Sequence, residues 1–307
     1  MEFDEIIGID KDRILIELEV SSICNLRCPY CNPNSHDGLK PWPNSKILKD
    51  VIKNIYNKYK KPIILICLGG EPSLWPDAKN VLSYIKSLDK KNHIRLVSNG
   101  IRKYNWWYKH EDCIDSVFFS YHNSGAKIEK WIDNINKINT PYFIFTLGDA
   151  NTWDDVLYNY NYIKDNSSCA GVMLKPIVDR GAKTVNYTKE QQSFIENSFY
   201  IKNKKVFDKT WETRGKLMFQ GKYVEEADFS KIMFAKKNNF KGWKCNTGVR
   251  RFTLKNTGEI HGASGCKARG NIGNWHTGKL NDLYTTPIIC PFDICKCSID
   301  VGISKQK

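Results

Sequence analysis

Cys24, Cys28 and Cys31 stand in the run Ser21-Ser22-Ile23-Cys24-Asn25-Leu26-Arg27-Cys28-Pro29-Tyr30-Cys31-Asn32, a C-x3-C-x2-C triplet placed directly after an apolar, strand-like segment. Three thiolates so spaced can hold three irons of a cubane cluster. No further cysteine follows until Cys67, so the fourth iron lacks a protein ligand and can take an exogenous chelating one. Two other readings compete: a zinc site, which normally wants four ligands or three plus water with paired C-x2-C spacing, and a chance grouping of thiols.

A second motif, Leu68-Gly69-Gly70-Glu71-Pro72, comes about forty residues later at the end of another apolar run. Glycine there lets a ligand approach the main chain closely and Pro72 fixes the exit, although Gly-Gly before a proline is also ordinary turn chemistry. Ser98-Asn99-Gly100, Ser120-Tyr121-His122 and Lys175-Pro176 each end a further apolar run. Polar residues at strand ends point into the mouth of a barrel. An Asn-Gly turn explains Asn99 and Gly100 equally well, His122 has a reading as a satisfied histidine, and Lys175 has one as a solvated lysine beside its reading as an anchor for a carboxylate or phosphate.

The elements that must position these residues follow from periodicity. Strands are expected at 13–20, 63–68, 94–97, 117–119, 142–147 and 172–174, with helices at 46–59, 78–88, 128–138 and 156–163 between them. Apolar runs alternating with amphipathic helices argue a parallel sheet covered by helices, without deciding between an open sheet and a partial barrel. The alternation breaks down beyond about Asp179, where a polar helix at 189–199 leads into a Lys- and Asn-rich connector.

The cysteine triplet, with the aromatic Tyr30 immediately before its last member, resembles the signature of the radical S-adenosylmethionine (SAM) superfamily, and Gly69 to Pro72 matches that family's GGEP element. The resemblance implies a (β/α)6 partial TIM barrel with the cofactor at the C-terminal ends of the strands. It implies a 4Fe-4S cluster on Cys24, Cys28 and Cys31, whose open iron is chelated by the amino and carboxylate groups of SAM. Reductive cleavage of the sulfonium then gives a 5'-deoxyadenosyl radical. By the same resemblance Gly69, Gly70, Glu71 and Pro72 meet the SAM amino group, the Tyr30 main chain faces the adenine, and Ser98, Asn99, Ser120 and His122 serve the ribose and methionine carboxylate. A flavodoxin- or ferredoxin-type reductant is the implied partner.

Five more cysteines fall near the C-terminus: Cys245, Cys266, Cys290, Cys295 and Cys297. They flank an expected hairpin, Phe252 to Leu254 with the turn Asn256-Thr257-Gly258-Glu259 and Ile260, and an expected short helix after Asn271-Ile272-Gly273-Asn274. This arrangement resembles the twitch or SPASM extension of radical SAM enzymes and implies one auxiliary 4Fe-4S cluster. Cys245 and Cys266 match positions before and after the hairpin, and two of Cys290, Cys295 and Cys297 complete the set. The C-x4-C-x-C ending departs from the usual C-x2-C, and four thiolates also suit zinc. The expected organisation is a core at 1–185, a helical connector at 186–241 and a small hairpin-plus-helix iron-sulfur extension at 242–307. Cys67, Cys113 and Cys169 lie on apolar segments and are expected to be core residues.

Composition narrows the class. Eleven cysteines in 307 residues suggest a secreted disulfide scaffold, yet Met1-Glu2-Phe3-Asp4-Glu5 is acidic and lacks an apolar signal segment, so reduced ligands in the cytoplasm are expected. No apolar stretch approaches the ~18 residues of a membrane span. The formal charge of +14 admits a nucleic-acid partner, but only nine of the 47 basic residues are Arg, and Lys spread with Asn and Ile reads as compositional drift. Peptide-modifying relatives often carry a recognition domain before the barrel, whereas here the first strand is expected within about a dozen residues; a small molecule or modified nucleobase ranks above a peptide substrate on that ground. Trp106, Trp107, Tyr108, Trp211 and Trp243 are candidates for stacking on a base. A non-catalytic electron-transfer protein is the remaining alternative, and an intact SAM motif argues against it.

Overall fold

The computed structural model describes residues 3–123, 125–177, 186–210, 215–227, 229–234 and 236–307. Six parallel strands occur in chain order: β1 (Ile14–Glu19), β2 (Ile63–Leu68), β3 (His93–Ser98), β4 (Ser116–Tyr121), β5 (Tyr142–Gly148) and β6 (Gly171–Pro176). The connections carry α1 (Ser45–Tyr59) after β1, α2 (Ala78–Leu88) after β2, α3 (Ile128–Ile135) after β4 and α4 (Trp153–Asn166) after β5. This is the α/β architecture of a partial barrel, with helices on the outer face.

Register explains which side chains face which way. Leu18 pairs with Cys67, Cys67 with Leu96, and Leu96 with Val117, a row turned toward the helices. Helical spacing supplies the opposing layer: Leu48, Val51, Ile52 and Ile55 on α1, and Val81, Leu82 and Ile85 on α2, are all fully buried. The alternate row runs Glu17, Ile66, Arg95, Ser116 and faces the barrel interior. Asn44 starts α1 by accepting from Ile47 N, and Lys60, at φ 50°, ends it.

Three features differ from the expectation. A short strand, Glu5–Ile7, precedes β1; its partners Gly215–Phe219 and Lys305–Gln306 lie some 200 to 300 residues away in sequence, so no local pattern announces it. The connector carries an antiparallel pair, Gly215–Phe219 with Lys222–Ala227, besides its helices. The stretch after Asn274 is a turn between strands rather than a helix. Asn274 Oδ1 accepts from His276 N and Thr277 N, Gly278 takes φ 76°, and Lys279–Leu280 pairs back. The end of the alternation near Asp179, and Trp211, lie outside the described residues.

The C-terminal hairpin, β7 (Arg251–Leu254) with β8 (Glu259–His261), extends the core sheet, because β7 lies parallel to β1 with Thr253 opposite Glu17. The second sheet joins Glu5–Ile7, Lys305–Gln306, Lys244–Cys245 and Ile288–Ile289 with the connector pair. Among the described residues no helix is long and apolar enough to cross a membrane.

Candidate active site

The cysteine loop leaves the C-terminal end of β1 through Ser21 and Ser22, both fully buried. The Ser21 hydroxyl donates to Lys40 O at 2.8 Å and accepts from Ile23 N at 2.9 Å, fixing the chain just before Cys24. Inside the loop Cys31 N donates to Cys28 O at 3.1 Å. Cys28 is buried while Cys24 and Cys31 keep partial exposure. Burial pushes the Cys24 thiol up, so a metal must displace its proton to bind.

The Gly69–Pro72 turn is pressed onto this loop. Glu71 N donates to Ile23 O at 2.9 Å, and a Cβ on Gly70 would collide with that same oxygen. Gly69 and Gly70 have φ of 82° and 57°, a region glycine enters without steric cost. Glu71, only 2% exposed, draws the neighbouring strand end in: Oε1 accepts from Ser98 Oγ at 2.7 Å and Ser73 N at 3.0 Å, and Oε2 accepts from Asn99 N at 2.8 Å. Burial raises its carboxyl above the usual range against the lowering effect of these three hydrogen bonds. Asn99 Nδ2 then donates to Asn25 Oδ1 at 2.8 Å, closing the circuit on the residue after Cys24.

His122, just past β4, reaches the loop from the other side. Its Nδ1 lies 2.8 Å from the Tyr30 hydroxyl and 3.5 Å from Cys28 Sγ. Burial lowers its pKa to about 4, so the ring is neutral at physiological pH. The structure thus gathers Cys24, Cys28, Cys31, Tyr30, Gly69 to Pro72, Ser98, Asn99 and His122 at the ends of β1 to β4. Ser120 sits on the inner face of β4, opposite Phe145 of β5. Lys175 stands farther round, at the end of β6, its Nζ 3.6 Å from the centre of the Phe145 ring. It is exposed to solvent in the barrel mouth yet ringed by protein, and that desolvation lowers it to about 8.

Residues that periodicity alone does not single out fill the interior. Arg251, on β7, donates to Glu17 Oε2 at 3.1 Å, and Thr253 Oγ1 and Ser264 Oγ donate to the same oxygen. Lys255 Nζ donates to Glu19 Oε1 at 2.7 Å, so the hairpin turn is fastened beside the cysteine loop. Arg95 lies over the Phe118 ring at 4.2 Å and donates to Ser116 Oγ at 3.2 Å. The available signal is the alternation of Glu17 and Glu19 with Ile16 and Leu18 in a strand otherwise apolar. Of the aromatic candidates, Trp107 is buried, Trp106 stacks on His110, Trp243 packs on Phe3 and Phe240, and Tyr108 is exposed.

The C-terminal cysteines lie on and beside the second sheet, at the edges of two apolar clusters. Cys245, Cys266 and Cys290 border one apolar cluster with Ala263 and Ile303, and Cys290 and Cys295 border the next, around Phe240 and Val301. Burial pushes Cys245 up to about 11 and Cys295 to about 12. Burial also raises the Cys266 and Cys297 thiols, and Cys297 packs against Gly265, next to Cys266. Asp300, 2% exposed, presets the loop by accepting from Ser264 N, Gly265 N and Cys266 N at 2.9, 2.8 and 2.9 Å. Cys67, Cys113 and Cys169 are buried in the core.

Comparison with known proteins agrees with this geometry. Residues 18–120 match the model of the Radical SAM superfamily. A GTP 3',8-cyclase from Lactiplantibacillus plantarum is 30% identical over 89 residues, 28% of this chain and 26% of that protein. A 7,8-dihydro-6-hydroxymethylpterin dimethyltransferase from Methanocaldococcus jannaschii is 27% identical over 93 residues, 30% of this chain and 18% of that protein. The chain spans about a quarter of the length of the first of these relatives, 26%. Among solved structures, native anSMEcpe with bound AdoMet superposes with a TM-score of 0.56 at 17% identity, covering 85% of this chain and 77% of that one. Streptococcus suis SuiB bound to S-adenosylmethionine gives 0.52 at 12% identity, covering 86% and 64%. Residues 18–120 carry a radical SAM domain, the domain of enzymes whose cofactors are a 4Fe-4S cluster and S-adenosylmethionine.

Proposed function

We propose that this protein cleaves SAM reductively and uses the product to abstract hydrogen from a small molecule or modified nucleobase held in the barrel mouth. Cys24, Cys28 and Cys31 hold the SAM-binding cluster, which when bound supplies the electron that splits the sulfonium and releases a 5'-deoxyadenosyl radical. Gly69 to Pro72 present main chain to the SAM amino group, Ser98, Asn99, Ser120 and His122 serve its polar groups, and Lys175 offers an ammonium to an anionic group. A flavodoxin- or ferredoxin-type protein supplies the electron.

The observation that carries this reading is the clasp between Ile23 O and Glu71 N at 2.9 Å, which holds the cysteine loop and the glycine turn together with no room for a side chain at Gly70. An electron-transfer protein has no use for that turn.

The C-terminal thiols extend the proposal: Cys245, Cys266, Cys290 and Cys295 ligate an auxiliary 4Fe-4S cluster, and Cys297 is the thiol left over. A core at 1–185, a connector at 186–241 and an extension at 242–307 divide the chain by chemistry, although β7 shares the core sheet. A nucleobase ranks first among substrates because two relatives are named for a purine nucleotide and a pterin.

The test is anaerobic reconstitution, reduction with dithionite and incubation with SAM. 5'-Deoxyadenosine forms slowly in the wild type without substrate; formation no greater than in Cys24→Ala rejects the proposal. Formation with a peptide alone, and not with nucleosides, moves the substrate to the peptide class.

A further inference from the structure

Among the described residues Lys305 stands out from the other lysines by its burial. It is 5% exposed, and its Nζ donates to Asp300 O and Val301 O, both at 2.9 Å, at the end of the short helix Ser298–Val301. The ammonium also lies 4.4 Å from the centre of the Phe240 ring. Among the described residues no carboxylate forms an ion pair with it. Its direct partners are two neutral carbonyls and an aromatic ring, which leave its positive charge unneutralised by a bonded carboxylate.

Its position indicates what the charge is for. Lys305 is the direct antiparallel partner of Cys245, with Lys244 opposite Gln306. Directly opposed residues on an antiparallel pair place their side chains side by side on one face. The ammonium therefore stands beside Cys245, and its charge also reaches Cys266 and Cys295, where the buried Asp300 carboxylate opposes it and stays in place when Lys305 is replaced. Four thiolates around an iron-sulfur core carry net negative charge, and reduction adds one more. A fixed positive charge in a medium of low dielectric stabilises the reduced form more than the oxidised form.

We infer that Lys305 sets the reduction potential of the C-terminal iron-sulfur site, holding it above the potential the same four thiols would give without the buried ammonium. The inference rests on the proposed auxiliary cluster and adds a residue that is not one of its ligands. Lys305 is held by the end of the short helix and the Phe240 ring, and its effect on the site is electrostatic.

The experiment uses the full chain with Cys24, Cys28 and Cys31 replaced by Ala, so that only the C-terminal site contributes. Iron and sulfide content establish whether that site loads, and a redox titration followed by electron paramagnetic resonance gives its midpoint. Lys305→Met and Lys305→Gln are compared with Lys305→Arg; Gln keeps one hydrogen bond to the helix end, which guards against misfolding. The neutral variants are expected to lower the reduction equilibrium constant at least tenfold, about 59 mV for a one-electron couple, with Arg close to the parent. Unchanged midpoints in both neutral variants overturn the inference while leaving the auxiliary cluster intact. A parent that binds no iron overturns the cluster, and the inference with it.

Discussion

The Tyr30 hydroxyl and His122 Nδ1 meet at 2.8 Å, their rings stacked 5.9 Å apart and 13° from parallel. The contact ties the histidine ring to the cysteine loop, and the neutral ring has one nitrogen as donor and the other as acceptor. Tyr30→Phe removes that restraint and leaves Nδ1 only its longer contact, 3.5 Å, to Cys28 Sγ. The expected result is reduced formation of 5'-deoxyadenosine at unchanged iron content; loss of iron would make Tyr30 a prop of the cysteine loop instead.

Glu71 is an acceptor for three donors in a space closed to water. Glu71→Gln turns one acceptor oxygen into a donor and sets it against either Ser98 Oγ or Asn99 N. The cost is expected at about 1–3 kcal/mol, read by urea unfolding of the apoprotein, with a weaker affinity for SAM by equilibrium dialysis. Gly70→Ala should be worse still, since it adds a collision with Ile23 O to an unfavourable φ.

Arg251 and Glu17 are 3% and 6% exposed in their side chains, and each leaves the other stranded when removed. Arg251→Met is expected to destabilise by about 3–5 kcal/mol because the Glu17 carboxylate stays buried without its cation. The double variant Glu17→Gln, Arg251→Met should recover most of that loss. A double-mutant cycle with additive effects would mean the pair does not couple β1 to β7.

Lys175 titrates near 8 instead of 10.5, so its ammonium is present below that pH and lost above it. Affinity for an anionic group in the mouth should therefore fall as pH rises through about 8. Lys175→Met should be weak and flat across the same range. Stability moves the opposite way: between pH 8 and 10.5 the unfolded chain holds more protons at this lysine, and stability gained from this group rises with pH. Binding measured against pH, wild type beside Lys175→Met, separates the anion anchor from a lysine that is merely confined.

Contiguous features were legible in the sequence. The cysteine triplet and Gly69 to Pro72 each lie within a few residues of chain, and β1 to β6 are legible as short apolar runs alternating with amphipathic helices. What stayed hidden depends on pairing across long separations. Nothing near Arg251 says that it will lie beside Glu17, and nothing near Lys305 says that it will oppose Cys245. The hairpin itself was legible from its Asn-Thr-Gly-Glu turn, but not its place along β1. The turn after Asn274 was misread because its Asn side chain caps two main-chain amides, chemistry that apolar spacing does not register.

The parallel ladder between β1 and β7 also constrains how the molecule works as a machine. Four consecutive residue pairs, Leu15 with Arg251 through Leu18 with Leu254, weld the strand that launches the cysteine loop to the strand that opens the C-terminal extension. A swing of the extension away from the barrel would have to tear that seam. Traffic into and out of the mouth therefore falls to the loops around its rim.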